Sequence, residues 1–252
     1  MIEKISRQWP LALTMVALAC APLGSVAAPH EASYVYGVYY GERRIGEHEF
    51  VIRRSATGSA TGSARGSATG SATGSAGGLE VRSEARMEFR VLFVPVYRYH
   101  HLATERWQQG CLLQLSSETD DNGTRYALQA RSQSGALSIV QTAPQPAARE
   151  LTSPSCPATF AYWDLDLLRR EQLLNTQTGD LASVALSAEG DELLDGIPAR
   201  RYLLQPEGLE PIRLWYRDSD DLWLRLETQR DGSTLSYRLE RQRPSAQYAD
   251  AS

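Results

Sequence analysis

Lysine is the residue that this sequence most nearly lacks. The chain of 252 residues has 26 lysines and arginines together, and Lys4, at the extreme N-terminus, is the only lysine among them. Schiff-base chemistry, a phosphate-binding P-loop and a kinase active site each depend on a lysine within a folded domain. The sequence also has no Gly-rich phosphate loop and no G-x-S-x-G nucleophile motif. These absences exclude the corresponding enzyme classes.

Cysteine is scarce as well, with only Cys20, Cys111 and Cys156. No C-x-x-C pair and no Cys/His ligand spacing occurs, so the sequence predicts no metal site and no cofactor. In an oxidising compartment Cys111 and Cys156 are expected to form a disulfide, and the alternative is two separate buried thiols. The formal net charge is −4 at pH 7. With no basic cluster, that charge argues against nucleic acid as a partner.

The N-terminus is typical of a secretory signal. Lys4 and Arg7 precede an apolar run over 11–21, and small residues ending at Ala27 or Ala28 form a cleavage site. We therefore predict a signal peptide over 1–28 and a periplasmic or secreted protein. The apolar run is too short to span a membrane. An alternative is a lipoprotein attached through Cys20, although the residues before it fit that signal poorly.

A low-complexity insertion interrupts the remaining chain. Residues 55–78 repeat the tetrapeptide SATG and contain no large apolar side chain. Such a segment cannot offset the entropy of ordering, so we predict a flexible loop between two strands. The rest of 29–243 is expected to form a single β domain, followed by a disordered tail over 244–252.

The densest structural signal lies in 94–131, which predicts three consecutive antiparallel strands. Asn122-Gly123 lies between two alternating runs and indicates a tight hairpin turn. Alternation places Tyr97, Tyr99 and His101 on one face of the first strand and His100 on the other. On the second strand it places Cys111, Leu113 and Leu115 on one face.

Alternating runs continue through most of the chain, and 160–174 has the only spacing that predicts a helix. We expect this helix to cover one end of the sheet, and we expect 142–157 to be a loop. The predicted fold class is mainly β, with a long curved antiparallel sheet that forms an open or half β-barrel with one short helix.

Several short motifs together resemble an uncharacterised family of bacterial exported β domains of unknown function. The matching pieces are Y36…G41-x-x-x-I-G-x-H48, V96-Y-R-Y-x-H-x-x-x-E-x-W-x-x-G110, T119-D-D-N-G123, Y162-W163, N175-T-Q-T-G179 and L214-W-Y216. The resemblance implies an exported domain and brings no established activity. A curved sheet with a small helix is also similar to the half-barrels of periplasmic lipoprotein carriers, which implies a hollow apolar face that holds an acyl chain.

Two non-catalytic functions are consistent with these features. The first is binding of a lipid-like or amphipathic ligand, with Tyr97, Tyr99, His101, Trp107 and Trp215 as the predicted ligand-binding residues. The second is a structural or assembly role, in which a surface of Trp215, Trp223 and neighbouring arginines binds another envelope protein. A third hypothesis, an enzyme, would need His48, His101 and Glu105 to converge, with Tyr97 and Trp107 as walls. We predict no catalytic residue.

Overall fold

The computed structural model describes residues 30–54, 78–133, 136–144, 147–152 and 156–243. The predicted signal peptide with Cys20, the SATG insertion up to residue 77 and the C-terminal tail lie outside the described residues, so those assignments remain predictions. In the described part no helix is long and apolar enough to cross a membrane.

Within the described residues, fifteen strands form one sheet. They are β1 His30–Tyr40, β2 Arg43–Arg54, β3 Leu79–Val91, β4 Val94–Gln108, β5 Cys111–Asp121, β6 Thr124–Gln133, β7 Ala136–Ala143, β8 Ala147–Thr152, β9 Ala158–Thr159, β10 Gln172–Leu174, β11 Leu181–Leu194, β12 Ile197–Pro206, β13 Ile212–Arg217, β14 Trp223–Arg230 and β15 Ser233–Arg243. The spatial order is β8-β7-β6-β5-β4-β3-β2-β1-β15-β14-β13-β12-β11-β10-β9. β8 and β9 are therefore the edges of a sheet that stays open.

Neighbouring strands pair antiparallel, except that β9 pairs parallel with β10. The predicted fold class of an open, curved, mainly antiparallel sheet is confirmed. Along β4 and β5, buried and more exposed residues largely alternate, because successive side chains point to opposite faces. The core therefore lies on the concave side, where Tyr36 stacks on Trp223 with ring centroids 4.0 Å apart. Phe50 meets both rings edge-on.

The three predicted strands in 94–131 are β4, β5 and β6, and the turn between β5 and β6 has the expected chemistry. Asn122 and Gly123 both adopt positive φ, at 50° and 92°. The Asp120 carboxylate accepts a hydrogen bond from the Gly123 amide at 2.8 Å. One expectation for β5 is wrong, because Leu112 is buried and Leu113 is exposed. A β-bulge opposite Arg106 and Trp107 adds one residue and exchanges the two faces.

A second bulge moves Trp223 away from the surface where the sequence placed it. Trp215 pairs with Arg225 and Tyr216 pairs with Trp223, so Leu224 is the additional residue. Trp223 consequently points into the core and is only 1% exposed. The sequence also missed β8, whose Pro- and Ala-rich surroundings had indicated only a loop.

Residues 156–180, which we call the inner strap, cross the concave face. The Leu112 amide donates to the Pro157 carbonyl at 2.9 Å, and the Tyr216 hydroxyl donates to the Tyr162 carbonyl at 2.8 Å. The strap covers the inner face as expected, but the predicted helix over 160–174 is wrong. It contains one 3-10 turn, Leu167–Arg169, between β9 and β10. The leucines of this segment are buried on several sides of the chain. An amphipathic helix would bury a single apolar stripe, so the spacing of these leucines does not require a helix.

A disulfide joins Cys111 on β5 to Cys156 at the start of the inner strap, with the two Cα atoms 4.7 Å apart. The expected pairing is therefore confirmed. A disulfide is consistent with an exported protein. It also attaches the strap to the sheet close to the hydrogen bond between Leu112 and Pro157, so this end of the strap is held twice.

Candidate functional site

A chamber of about 260 Å³ lies between the inner strap and strands β2, β3 and β4. Half of its sixteen lining residues are apolar or aromatic, and the other half carry polar groups. The polar lining residues are His48, Ser83, Tyr99, His101, Glu105, Asn175, Thr176 and Gln177. We call this cavity the inner chamber. Its walls come from these three strands, from the strap, and from Ile212 at the start of β13 and Leu209 shortly before it, so residues far apart in sequence meet there.

His101 is the most fully hydrogen-bonded of the chamber's ionisable groups. Its Nδ1 lies 2.7 Å from the Thr119 hydroxyl on β5, and its Nε2 lies 3.2 Å from the Thr176 hydroxyl on the strap. Burial lowers the pKa of His101 to about 4, with a smaller contribution from His100. The ring is therefore neutral at pH 7, and its two nitrogens connect the sheet to the strap.

His48 stands in the same chamber without that support. Its Nε2 is screened from solvent and has no hydrogen-bond partner among the described residues. The ring packs on Phe50, with centroids 4.2 Å apart. Burial, with a smaller contribution from the proximity of His101, lowers the pKa of His48 to about 3. A buried polar atom without a partner is costly, so this nitrogen is the group in the chamber most in need of a ligand.

Glu105 is the third ionisable group. Burial raises its pKa to about 7, although Thr159 and Trp107 favour the charged form. The Trp107 indole N–H donates to its carboxylate at 3.0 Å. Burial therefore favours the neutral form of the Glu105 carboxyl group. His48, His101 and Glu105 do converge on one cavity, as the enzyme hypothesis required.

A second cavity, of about 480 Å³, opens beside the inner chamber towards the end of the sheet that carries the turn of β5 and β6. We call it the aromatic groove. Its lining residues are Tyr40, Ile45, Met87, Phe89, Tyr97, Tyr99, Asp121, Gln177, Arg230, Asp231, Leu235 and Tyr237. Tyr99 and Gln177 line both cavities, and the Tyr99 hydroxyl donates to Gln177 Oε1 at 3.0 Å. This pair is the partition between chamber and groove.

The strap reaches this partition through a loop that the sequence had identified only as a turn. Asn175 Oδ1 accepts hydrogen bonds from the amides of Gln177 and Thr178, at 2.8 Å and 3.2 Å. The Ser117 hydroxyl donates to the Thr176 carbonyl at 2.5 Å. Thr176 and Gln177 were missed as site residues. Ser117 and Thr119 occupy core-facing positions of β5. Because buried hydroxyl groups need hydrogen-bond partners, these two residues could have indicated polar groups on the segment that packs across the core.

The five predicted ligand-binding residues do not form one set. Tyr97 and Tyr99 line the groove, and His101 lines the chamber. Trp107 is fully buried behind the chamber, edge-on to Trp163 at 5.8 Å. Trp215 lies on the opposite face of β13 from Leu214 and Tyr216, and its indole N–H donates to Glu192.

Two further observations bear on metals. His100 and His101 face opposite sides of β4 as predicted, because His100 Nε2 lies 2.9 Å from Glu84 outside the sheet. In the part of the chain that the structure describes, no group of three or more His, Cys, Asp or Glu side chains could hold a metal ion.

Comparison with known proteins identifies the family. Residues 59–240 match the family described as a domain of unknown function, DUF6134. This chain belongs to the DUF6134 family. The match confirms the expected membership of an uncharacterised family. A separate comparison with curated proteins found no match to the chain.

Among solved structures, the DUF6134 domain is similar to a beta-barrel-like protein of domain of unknown function DUF1849 from Brucella abortus. The two are 9% identical with a TM-score of 0.55, covering 86% of this chain and 97% of that one. The likeness supports the fold alone. A DUF1329 family protein from Desulfovibrio piger is 15% identical over 88% of each chain, with a TM-score of 0.23, which is too low for any inference.

Proposed function

We propose that this DUF6134 domain binds one amphipathic molecule, with its apolar tail in the aromatic groove and an uncharged polar head in the inner chamber. The observation that carries the proposal is the shared wall of Tyr99 and Gln177 between the two cavities. The groove has the volume and aromatic lining common in small-molecule sites, which typically measure roughly 300–1,000 Å³. Movement of one hydrogen-bonded pair would join it to the chamber.

The chamber favours an uncharged head for an electrostatic reason. Burial disfavours every charged form there, since it lowers the pKa values of His48 and His101 and raises that of Glu105. A ligand carboxylate or ammonium would meet the same desolvation cost. A hydroxyl or amide would instead supply the hydrogen bond that His48 Nε2 lacks.

Binding explains the site better than catalysis does. Both nitrogens of His101 are already engaged by threonine hydroxyls, and Glu105 accepts a hydrogen bond from Trp107. The assembly hypothesis loses support because Trp223 is in the core and Trp215 is only 6% exposed. An exposed aromatic patch of the kind that proteins use for docking is therefore not formed by these two residues.

The test is calorimetric titration with dodecanol, dodecanamide, dodecanoate and dodecylamine. We expect the alcohol and the amide to bind more tightly than the two charged amphiphiles. Phe89→Asp places a charge in the groove and should weaken binding at least about tenfold, since tenfold corresponds to about 1.4 kcal/mol. Val140→Asp, on the exposed surface of β7, is the matched control. The proposal is overturned if none of the amphiphiles binds, or if Phe89→Asp and Val140→Asp bind them equally.

A further inference from the structure

The hairpin of β3 and β4 projects beyond the strands on either side of it. On one side the pairing of β3 with β2 ends at Met87, opposite Gly46. On the other side the strand pairing of β4 with β5 ends at Tyr99, opposite Asp121. The hairpin itself continues to Val91 and Val94, with a register shift between Phe89 and Arg90. Its last turn therefore stands clear of the sheet.

The end of this hairpin is apolar, which is unusual for an exposed turn. Leu92 and Phe93 are 85% and 90% exposed, and Val94 and Val96 are 62% and 48% exposed. We call these four residues the apolar tip. Leu92 also adopts a positive φ of 57°, although turns at such angles usually carry Gly, Asn or Asp. Neither folding nor turn formation accounts for large apolar side chains at this position.

The layers below the tip differ on the two sides of the hairpin. On its outer side Glu88 forms ion pairs with Arg90 and Arg98, the latter at 3.0 Å. On its inner side Phe89 and Tyr97, which pair across the hairpin, line the aromatic groove. Below the apolar cap, the charged belt on the outer side and the mouth of the cavity on the inner side therefore lie at about the same level of the hairpin.

We propose that the apolar tip is a membrane-docking element that inserts into the surface of a lipid bilayer. A convex tip of flexible apolar side chains suits a deformable apolar medium. A bilayer can deform around the tip, whereas a rigid protein partner would need a preformed pocket that fits it. The belt of Glu88, Arg90 and Arg98 would then lie among the polar headgroups, where long arginine side chains are well accommodated. A second copy of this chain is a poorer occupant, because Pro95 removes a backbone donor from the free edge of β4.

This inference goes beyond ligand binding and does not depend on it, since the tip could insert whether or not the groove holds a molecule. Docking here would place the mouth of the groove against the bilayer. Because Glu88 holds the two arginines of the belt, insertion should rest on the apolar side chains and depend little on anionic lipid.

The experiment is flotation of the full chain, as the cell produces it, with vesicles of phosphatidylethanolamine and with vesicles that also contain phosphatidylglycerol. We expect the wild-type protein to float with both. The Leu92→Asp/Phe93→Asp variant should have a partition coefficient at least about tenfold lower, because it replaces two large apolar side chains, whose burial favours insertion, with charged ones that oppose it. Phe93→Ala should be intermediate. Leu193→Asp is the matched control, because Leu193 is 72% exposed at the opposite end of the sheet.

Failure of the wild-type protein to float, or equal flotation of the double variant and Leu193→Asp, would overturn the proposal. Sedimentation without vesicles tests the second-copy alternative, and a wild-type dimer that the double variant makes monomeric would also overturn it. Circular dichroism and thermal unfolding should be the same for all variants, since the substituted side chains are exposed. The amphiphile titration remains a separate measurement, so failure of the groove to bind a ligand and failure of the tip to dock are distinguishable.

Discussion

The two faces of β3 and β4 use polar residues in opposite ways. Outside the sheet, Glu84 lies among Arg82, Arg86 and His100. Partial burial raises the pKa of Glu84, but the hydrogen bond with His100 and the charges of Arg86 and Arg82 leave it below its ordinary value. Inside, burial dominates, and the pKa of Glu105 rises to about 7. Adjacent residues of the same strands therefore experience water on one face and a desolvated interior on the other.

Ionisable groups are therefore exchangeable on the outer face and constrained on the inner face. Exposed ion pairs typically contribute under about 1 kcal/mol each, because water screens them and side-chain entropy opposes them. A buried polar group has no solvent to replace a lost partner. Matched substitutions at inner and outer residues should therefore differ in their effect on stability.

The largest difference is expected between Trp107 and its neighbour Arg106. Trp107→Ala should lower the free energy of unfolding by about 3–5 kcal/mol, because it leaves a cavity beside Trp163 and removes the donor to Glu105. Arg106 pairs with Glu80 at 3.2 Å on the outer face. Arg106→Ala should therefore lower the free energy of unfolding by under about 1 kcal/mol. Urea denaturation measures both. Similar losses for the two variants would show that the faces are not energetically distinct.

The next effect concerns pH and the two carboxylates. The pKa of Glu105 rises on folding from its ordinary value of 4.5 to about 7, so the folded state binds the proton more tightly. Its contribution is fully present below pH 4.5 and is lost as the pH rises through 7. The loss is on the order of 3 kcal/mol. Glu105→Gln should therefore reduce the fall in stability between pH 5 and pH 8.

Glu84→Gln is the control for that measurement. The pKa of Glu84 is lowered in the folded state, so its contribution has the opposite sign and is lost as the pH falls. Glu84→Gln should leave the decline between pH 5 and pH 8 in place. An unchanged pH profile for Glu105→Gln would show that the carboxyl group is not desolvated.

The smallest effect is a gain in stability. His48→Phe removes a buried nitrogen that lacks a partner and extends the aromatic cluster with Phe50 and Tyr237. We expect the free energy of unfolding to rise by about 1 kcal/mol at pH 7. The gain should grow as the pH falls below 6.5. The pKa of His48 is lowered in the folded wild-type protein, so the wild type loses stability as the pH falls from 6.5 towards 3, whereas phenylalanine does not titrate.

His100→Phe, on the outer face, is the matched substitution for His48→Phe and should not stabilise the protein. If dodecanol binds through His48 Nε2, then His48→Phe should also weaken binding of the alcohol while it increases stability. A loss of stability in His48→Phe would mean that the nitrogen already has a partner.

Local sequence patterns predicted much of the sheet but little of the site. Alternation in β4 correctly separated His100 from His101, and Asn122-Gly123 correctly marked the turn. The faces of Leu113 and Trp223 could not be predicted, because each depends on a bulge that appears only when two strands pair. The helix expected over 160–174 failed for a related reason. Its leucines are buried by the sheet and by the strap itself, and apolar spacing does not distinguish that arrangement from a helix.

The sequence alone determined that the domain is a mostly antiparallel β protein, that Cys111 and Cys156 could pair, and that lysine-dependent chemistry is excluded. These properties follow from local alternation, from turn residues and from composition. The packed fold is what brings His48, His101 and Glu105 into one chamber with Thr176 and Gln177. It also leaves Leu92 and Phe93 exposed beside the groove. Those relations depend on strand register and on the path of the inner strap, which are set by long-range packing.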